Sequence, residues 1–186
     1  MVTLHLVRHA LSAQSSERPS SEWRLAPTAS EGARRLGASG VLPDNAFWVS
    51  SSEPKAAATA HLLVAGDVRL DDGLREARRD PTWLERDELH RLVLLSFAHP
   101  HESVRAGWEP LGATQARALA SARRAVHEAG GRDVVLVGHG TALTMLVSGL
   151  TGAAPAVDAW QSMRMPDHCA LAWPDRLLAP WGAWDA

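Results

Sequence analysis

The run Val134–Val137 is apolar without interruption and mostly β-branched, the pattern of a parallel strand buried on both faces of a sheet. It passes through Gly138-His139-Gly140 straight into an apolar helical stretch that reaches Leu150. A strand of that kind needs helices above and below it, so the rest of the chain has to supply both layers.

The flanking segments are of the right type. Thr3–Val7 has the length and composition of a short strand, and an aperiodic polar loop follows from Ser12 to Glu22. Ser30 precedes a helical run to Ala38 that stops at Gly40. Phe47–Ser50 reads as a second strand, and Glu53-Pro54 opens a helix with Ala56, Ala60, Leu63 and Val64 on one face. Val68–Leu70 is a weak strand, Thr114–Glu128 an Ala-rich helix, and Cys169–Trp173 a last strand closed by Pro174. Between about residues 78 and 110 the pattern breaks: Leu89, Leu92, Val93, Ser96 and Phe97 fall at helical spacing between Pro81 and Pro100, which reads as a helical insertion. Strands alternating with helices predict an α/β three-layer sandwich with a largely parallel central sheet, in one domain over residues 1–186. The tail carrying Trp181 and Trp184 is expected to dock on that body.

Composition narrows the function. A formal net charge of −2 lacks the electrostatic footprint of a nucleic-acid binder, and no apolar run approaches the ~20 residues of a membrane helix. Arg8 and His9 follow a very short apolar stretch, so no signal peptide is expected there. Cys169 is alone, which with the other features predicts a cytoplasmic protein with small-molecule partners. There is no Tyr but 8 Trp, and among 19 basic residues Lys55 is the only lysine.

Ligands of open α/β sheets bind beyond the carboxyl ends of the strands. That rule selects Arg8-His9, Ser51 to Lys55, Leu74 to Glu76, and His139: two histidines, two cations and a carboxylate on one edge. Helix N-termini there favour an anion. Other chemistries fit less well. A dinucleotide fingerprint beginning at Gly138 would need its third glycine where Leu143 stands, a Gly-x-Ser-x-Gly elbow is absent, and Lys55 follows Pro rather than Gly, which excludes a P-loop. His99, His101 and Glu102 lie in a Pro-bounded loop without further spaced ligands, so no metal and no cofactor is expected.

The motifs together resemble the histidine phosphatase superfamily, of phosphoglycerate-mutase-like fold. Leu6-Val7-Arg8-His9-Ala10 resembles its opening motif with the nucleophilic histidine. Ser51 through Thr59-Ala60 resembles the segment in which a basic residue opens a helix, Leu74-Arg75-Glu76 the segment supplying the acid, and Val134 to Gly140 the strand carrying the second histidine. Three positions depart: Ala10 replaces the usual Gly, Leu11 a common Glu, and Lys55 the commoner Arg. The resemblance implies a phosphatase acting on a small phosphomonoester through a phosphohistidine on His9, with Glu76 as acid and base. Arg8, Lys55, His139 and Gly140 would bind the phosphoryl group. It also leaves open a mutase, or a catalytically silent module that holds a phosphorylated ligand in the same pocket. Ser12, Ser15, Arg78, Trp83 and Trp108 are expected to shape the substrate pocket, the last three from the insertion.

Overall fold

The structure is a computed structural model describing residues 1–185. Strands β1 (Thr3–Arg8), β2 (Phe47–Ser50), β3 (Arg69–Leu70), β4 (Val134–Gly138), β5 (Asp167–Ala172) and β6 (Arg176–Ala179) form one sheet in the order β3-β2-β4-β1-β5-β6. β3, β2, β4 and β1 are mutually parallel, whereas β5 and β6 add antiparallel at the far edge. Helices α1 (Ala29–Ala38) and α2 (Pro54–Leu63) cover one face; α4 (Leu111–Glu128) and α5 (Gly140–Thr151) cover the other.

The alternation along β4 assigns its side chains to the two layers. Val134 and Leu136 pack with Ala118, Ala122 and Ala125 of α4 and with Leu143 and Leu146 of α5. Val135 and Val137 face Leu36 of α1 and Ala56 and Ala60 of α2. The alanines let both helices sit close to the sheet, and every β4 side chain is buried, as the unbroken apolar run requires. α5 ends at Gly152, whose φ of 70° is the left-handed cap conformation glycine adopts without strain.

The segment from 78 to 110 contains one helix, α3 (Arg86–Ala98), flanked by irregular chain. Leu92, Val93 and Phe97 pack with Trp108, Leu111 and Met145 as a separate cluster beside the main core. Sequence periodicity did not indicate the short helix α6 (Val157–Ser162) or the edge strand β6, the latter beginning two residues after a proline. The first of these becomes a wall of the site.

Candidate active site

Because β1, β2 and β4 are parallel, their carboxyl ends share one edge, and Arg8-His9, Ser51–Lys55 and His139-Gly140 meet there. His9 is held by its backbone N–H on Gly138 O at 2.9 Å, and the Ala10 carbonyl accepts a hydrogen bond from its ring Nδ1 at 2.7 Å. That acceptor fixes the proton on Nδ1 and leaves the Nε2 lone pair available. Burial, together with the nearby positive charges of Lys55 and Arg8, pushes the imidazole down to about 3, against its backbone bond to Ala10, so His9 is neutral at any ordinary pH.

His139 is fully buried, with its ring centroid 5.1 Å from that of His9. Its pKa lies well below the usual value, first through burial and then through repulsion by His9 and Lys55. Its Nε2 is 2.9 Å from Ser51 Oγ, which already accepts the Glu53 N–H at 3.2 Å. His139 Nδ1 is buried with no hydrogen-bond partner among the described residues, and it carries the ring proton in the tautomer in which the serine hydroxyl donates to Nε2. Arg8 shows the same condition. Its Nη1 donates to the Met163 carbonyl at 2.6 Å, while its Nε is buried and unpartnered, 3.5 Å from where a side chain at Gly140 would begin. Gly140 therefore leaves room that any other residue would fill, with Trp160 Nε1 on its other side at 3.3 Å.

Lys55 is buried rather than solvated: its ammonium donates to Glu53 Oε2 at 2.5 Å and to the Ser20 carbonyl at 2.6 Å. Glu53, at the N-cap position of α2, lies within the Ser51 to Lys55 stretch, but sequence reasoning gave it no role of its own. Its other oxygen accepts the Glu76 N–H at 3.0 Å, and Oε2 lies 3.7 Å from His139 Nε2. Its place immediately before Pro54 in the second motif was the available signal.

Glu76 follows the short turn Asp72–Leu74 and reaches the first turn of α5, accepting N–H groups from Ala142 at 3.0 Å, Thr141 at 3.3 Å and Ala77 at 2.9 Å. Burial would raise this carboxyl, but the Arg79 guanidinium and those three N–H donors outweigh it and hold the group below the usual range. Arg117 of α4 fixes the turn, donating to the carbonyls of Gly73, Arg75 and Glu76 at 2.8, 2.6 and 2.9 Å. The same guanidinium grips Glu109 with two bonds of 3.0 and 2.9 Å. Nothing in the helical pattern of α4 marks Arg117 for this task.

A cavity of about 870 Å³ opens beside these groups, lined at its inner end by Arg8, Glu53, Glu76, Gly140 and Thr141. His9, Lys55 and His139 are buried and do not line it. Of the residues expected to shape the pocket, Arg78, Trp83 and Trp108 line it and Ser12 and Ser15 do not. The chain doubles back, with Ser12 bridged to Leu25 and Ala13 N–H on Arg24 O at 2.9 Å. That fold buries Ser12 and brings Arg18, Ser20 and Trp23 to the cavity instead. Ala10 donates its N–H to Thr59 Oγ1 at 2.9 Å and buries its methyl against Ala29 and Ala33, so the extra carbon is spent on packing with α1. Among the described residues no group of three or more His, Cys, Asp or Glu is arranged to hold a metal ion, and no helix is long and apolar enough to cross a membrane.

This arrangement is that of a known class. The sequence profile of the histidine phosphatase superfamily (branch 1) matches residues 4–175, and the chain belongs to that superfamily. Among solved structures it is similar to TTHB049 from Thermus thermophilus, with 26% identity, 96% of this chain and 98% of that one covered, and a TM-score of 0.68. YhfR of Bacillus stearothermophilus shares 23% identity over 96% and 95% of the two chains at a TM-score of 0.73. The mycobacterial glucosyl-3-phosphoglycerate phosphatase Rv2419c shares 21% over 100% and 99% at 0.72, and that protein has also been solved with inorganic phosphate and with VO3. A comparison with curated proteins gives no significant sequence match.

Proposed function

We propose that the protein is a phosphomonoesterase that works through a phosphohistidine on His9. The observation that carries this reading is a neutral imidazole, bonded only through Nδ1, beside the buried and unpartnered Arg8 Nε–H donor and the buried and unpartnered His139 Nδ1. Buried donors of that kind are costly unless something accepts from them, and phosphoryl oxygens are the acceptors that suit donors facing a nucleophile.

In the first step His9 Nε2 attacks phosphorus, the P–N bond forms and the P–O bond to the leaving alcohol breaks, while a proton moves from Glu76 to the departing oxygen. In the second, Glu76 takes a proton from water, whose oxygen attacks phosphorus and frees His9. Arg8 and His139 stabilise the equatorial oxygens throughout. Lys55 acts through its charge on both histidines, with two of its three N–H donors engaged by Glu53 and Ser20. Glu76 is ionised when the site is empty; a phosphomonoester arriving as its monoanion brings a proton, and the dianion left when that proton passes to Glu76 raises the carboxyl and holds it protonated. The single buried Cys169, its thiol pushed up to about 12 by burial, suits the reducing cytoplasm in which we place the enzyme.

Acid-quench trapping tests the reading. Incubation with a labelled phosphomonoester should leave an acid-labile phosphoryl group on the wild-type chain and none on His9→Ala, which should also lose turnover. Label retained by His9→Ala, or a wild-type chain that binds phosphate without releasing it from any ester, would refute it.

A further inference from the structure

The cavity is much larger than a phosphoryl group needs, and its outer part is lined by indoles. Trp23 comes from the loop after β1, Trp83 and Trp108 from the segment between residues 78 and 110, and Trp160 from α6, so four of the chain's 8 tryptophans converge on one space from distant parts of the sequence. Two of the four are already in use. Trp108 is 6% exposed and carries the Arg79 guanidinium 5.3 Å from its ring centre. Trp160 stacks on His90 at 5.5 Å and 25°, with Phe97 edge-on at 5.3 Å.

Trp23 and Trp83 are different. They lie outside the apolar clusters and meet only each other among the aromatic rings of the described residues, at 6.3 Å and a tilt of 52°. Trp83 remains 44% exposed. Both are nevertheless held in place by their indole N–H groups, Trp23 on the carbonyls of Ser15 and Arg18 at 3.1 Å each and Trp83 on Glu85 at 3.2 Å. Large apolar rings left partly in water and fixed by hydrogen bonds cost solvation without filling a core, and they suit a surface that receives a flat apolar group.

We infer that the Trp23–Trp83 pair is a stacking platform for the leaving group, and that the substrates of this site are phosphomonoesters bearing a planar aromatic ring. The inference rests on the phosphatase reading for its catalytic end and extends it to substrate class. A cavity of about 870 Å³ holds such a group together with the phosphoryl, within the ~300–1,000 Å³ usual for small-molecule sites.

The test separates stacking from size and from catalysis. Non-hydrolysable 1-naphthylmethyl phosphonate and its saturated counterpart, decahydronaphthylmethyl phosphonate, are similar in bulk, and the saturated one is no less apolar. Titration calorimetry on the full chain should find the aromatic phosphonate roughly five- to tenfold tighter, the factor expected of one or two aromatic contacts. Trp83→Ala should remove that preference while leaving inorganic phosphate affinity unchanged, and Trp83→Phe should restore part of it. Equal affinities in the wild type, a preference that survives in both Trp83→Ala and Trp23→Ala, or no binding of either phosphonate would overturn the inference. Selective binding without turnover of the corresponding phosphate esters would uphold the platform and strike the phosphatase reading instead.

Discussion

At the scale of single residues, the site is defined by where charge is already spent. Lys55 sits in the first turn of α2, where a cation works against the helix dipole, so by position alone its loss is expected to leave the empty protein no less stable. The structure reverses that expectation because Lys55 neutralises the buried Glu53 at 2.5 Å. Lys55→Ala should therefore cost stability, by about 3–5 kcal/mol in urea unfolding, since it strands a buried carboxylate. Pairing it with Glu53→Leu should recover most of the loss, and a single variant as stable as the wild type would show that the pair carries no such weight. Glu76 gives a second expectation. Glu76→Gln should slow alkyl phosphates by ~10²–10⁴ and nitrophenyl phosphate by much less in single-turnover phosphorylation, because only the alkoxide needs the proton. Equal losses for both esters would reduce Glu76 to a structural brace of the α5 first turn. The pH profile follows from the same groups. His9, at about 3, imposes no loss of kcat/KM as pH falls from 7 to 4. Free Glu76 is ionised across that range down to its lowered pKa, so the transferable proton has to arrive with the phosphate, whose second ionisation is near ~6, and kcat/KM for alkyl esters should fall above about pH 6. An acid limb near the ordinary histidine value would contradict the depressed His9.

At the scale of elements, the C-terminal segment docks on the body and is tied to the catalytic edge through one carboxylate. Asp167, 1% exposed at the start of β5, accepts N–H groups from His168 at 2.8 Å, Gly182 and Trp184 at 2.9 Å, and Arg164 at 2.9 Å. Arg164 also donates to the Gly182 carbonyl at 2.7 Å and pairs with Asp185 at 2.6 Å, with its guanidinium 5.1 Å from the Trp184 ring centre. The residue before it, Met163, supplies the carbonyl that holds Arg8. Asp167→Asn, which keeps one acceptor oxygen and puts an NH2 donor where the other accepts, should free the tail to limited proteolysis and raise KM through Arg8 more than it lowers kcat. A tail as protected as in the wild type, with KM unchanged, would separate the two ends of this chain of contacts.

At the scale of the whole molecule, four buried histidines make the fold acid-sensitive. His5 and His168, whose ring nitrogens lie 3.0 Å apart between β1 and β5, are both lowered by burial, His168 to about 4, and His9 and His139 are lowered at the site. In the unfolded chain each returns to its ordinary value near 6.5, so between about pH 6.5 and pH 4 the unfolded state binds more protons than the folded one. Stability then rises with pH, is fully present above about 6.5, and falls near pH 5 by about 1.4 kcal/mol per pH unit for each proton taken up, roughly 4 kcal/mol per pH unit for His9, His139 and His168 together. Urea unfolding at a series of pH values should show this steep decline, and stability that stays flat from pH 7 to 5 would mean that these imidazoles are not held neutral.

The layers, the edge that carries the candidate site and the histidines placed there were determined by local sequence. An unbroken apolar run specifies a doubly covered strand, a glycine turn specifies its exit, and parallel strands place their exits together whatever else the chain does. Val134–Gly140 and Thr3–His9 carried that information within a few residues each. What only the tertiary structure decided were relations between residues far apart in the chain that leave no periodic trace. These are the pairing of Lys55 with Glu53 and Ser20, the grip of Arg117 on the turn before Glu76, the doubling back that removes Ser12 and Ser15 from the cavity, and the meeting of Trp23 with Trp83. Charge neutralisation and cavity shape depend on distances across the fold, and composition and spacing encode distances only along the chain.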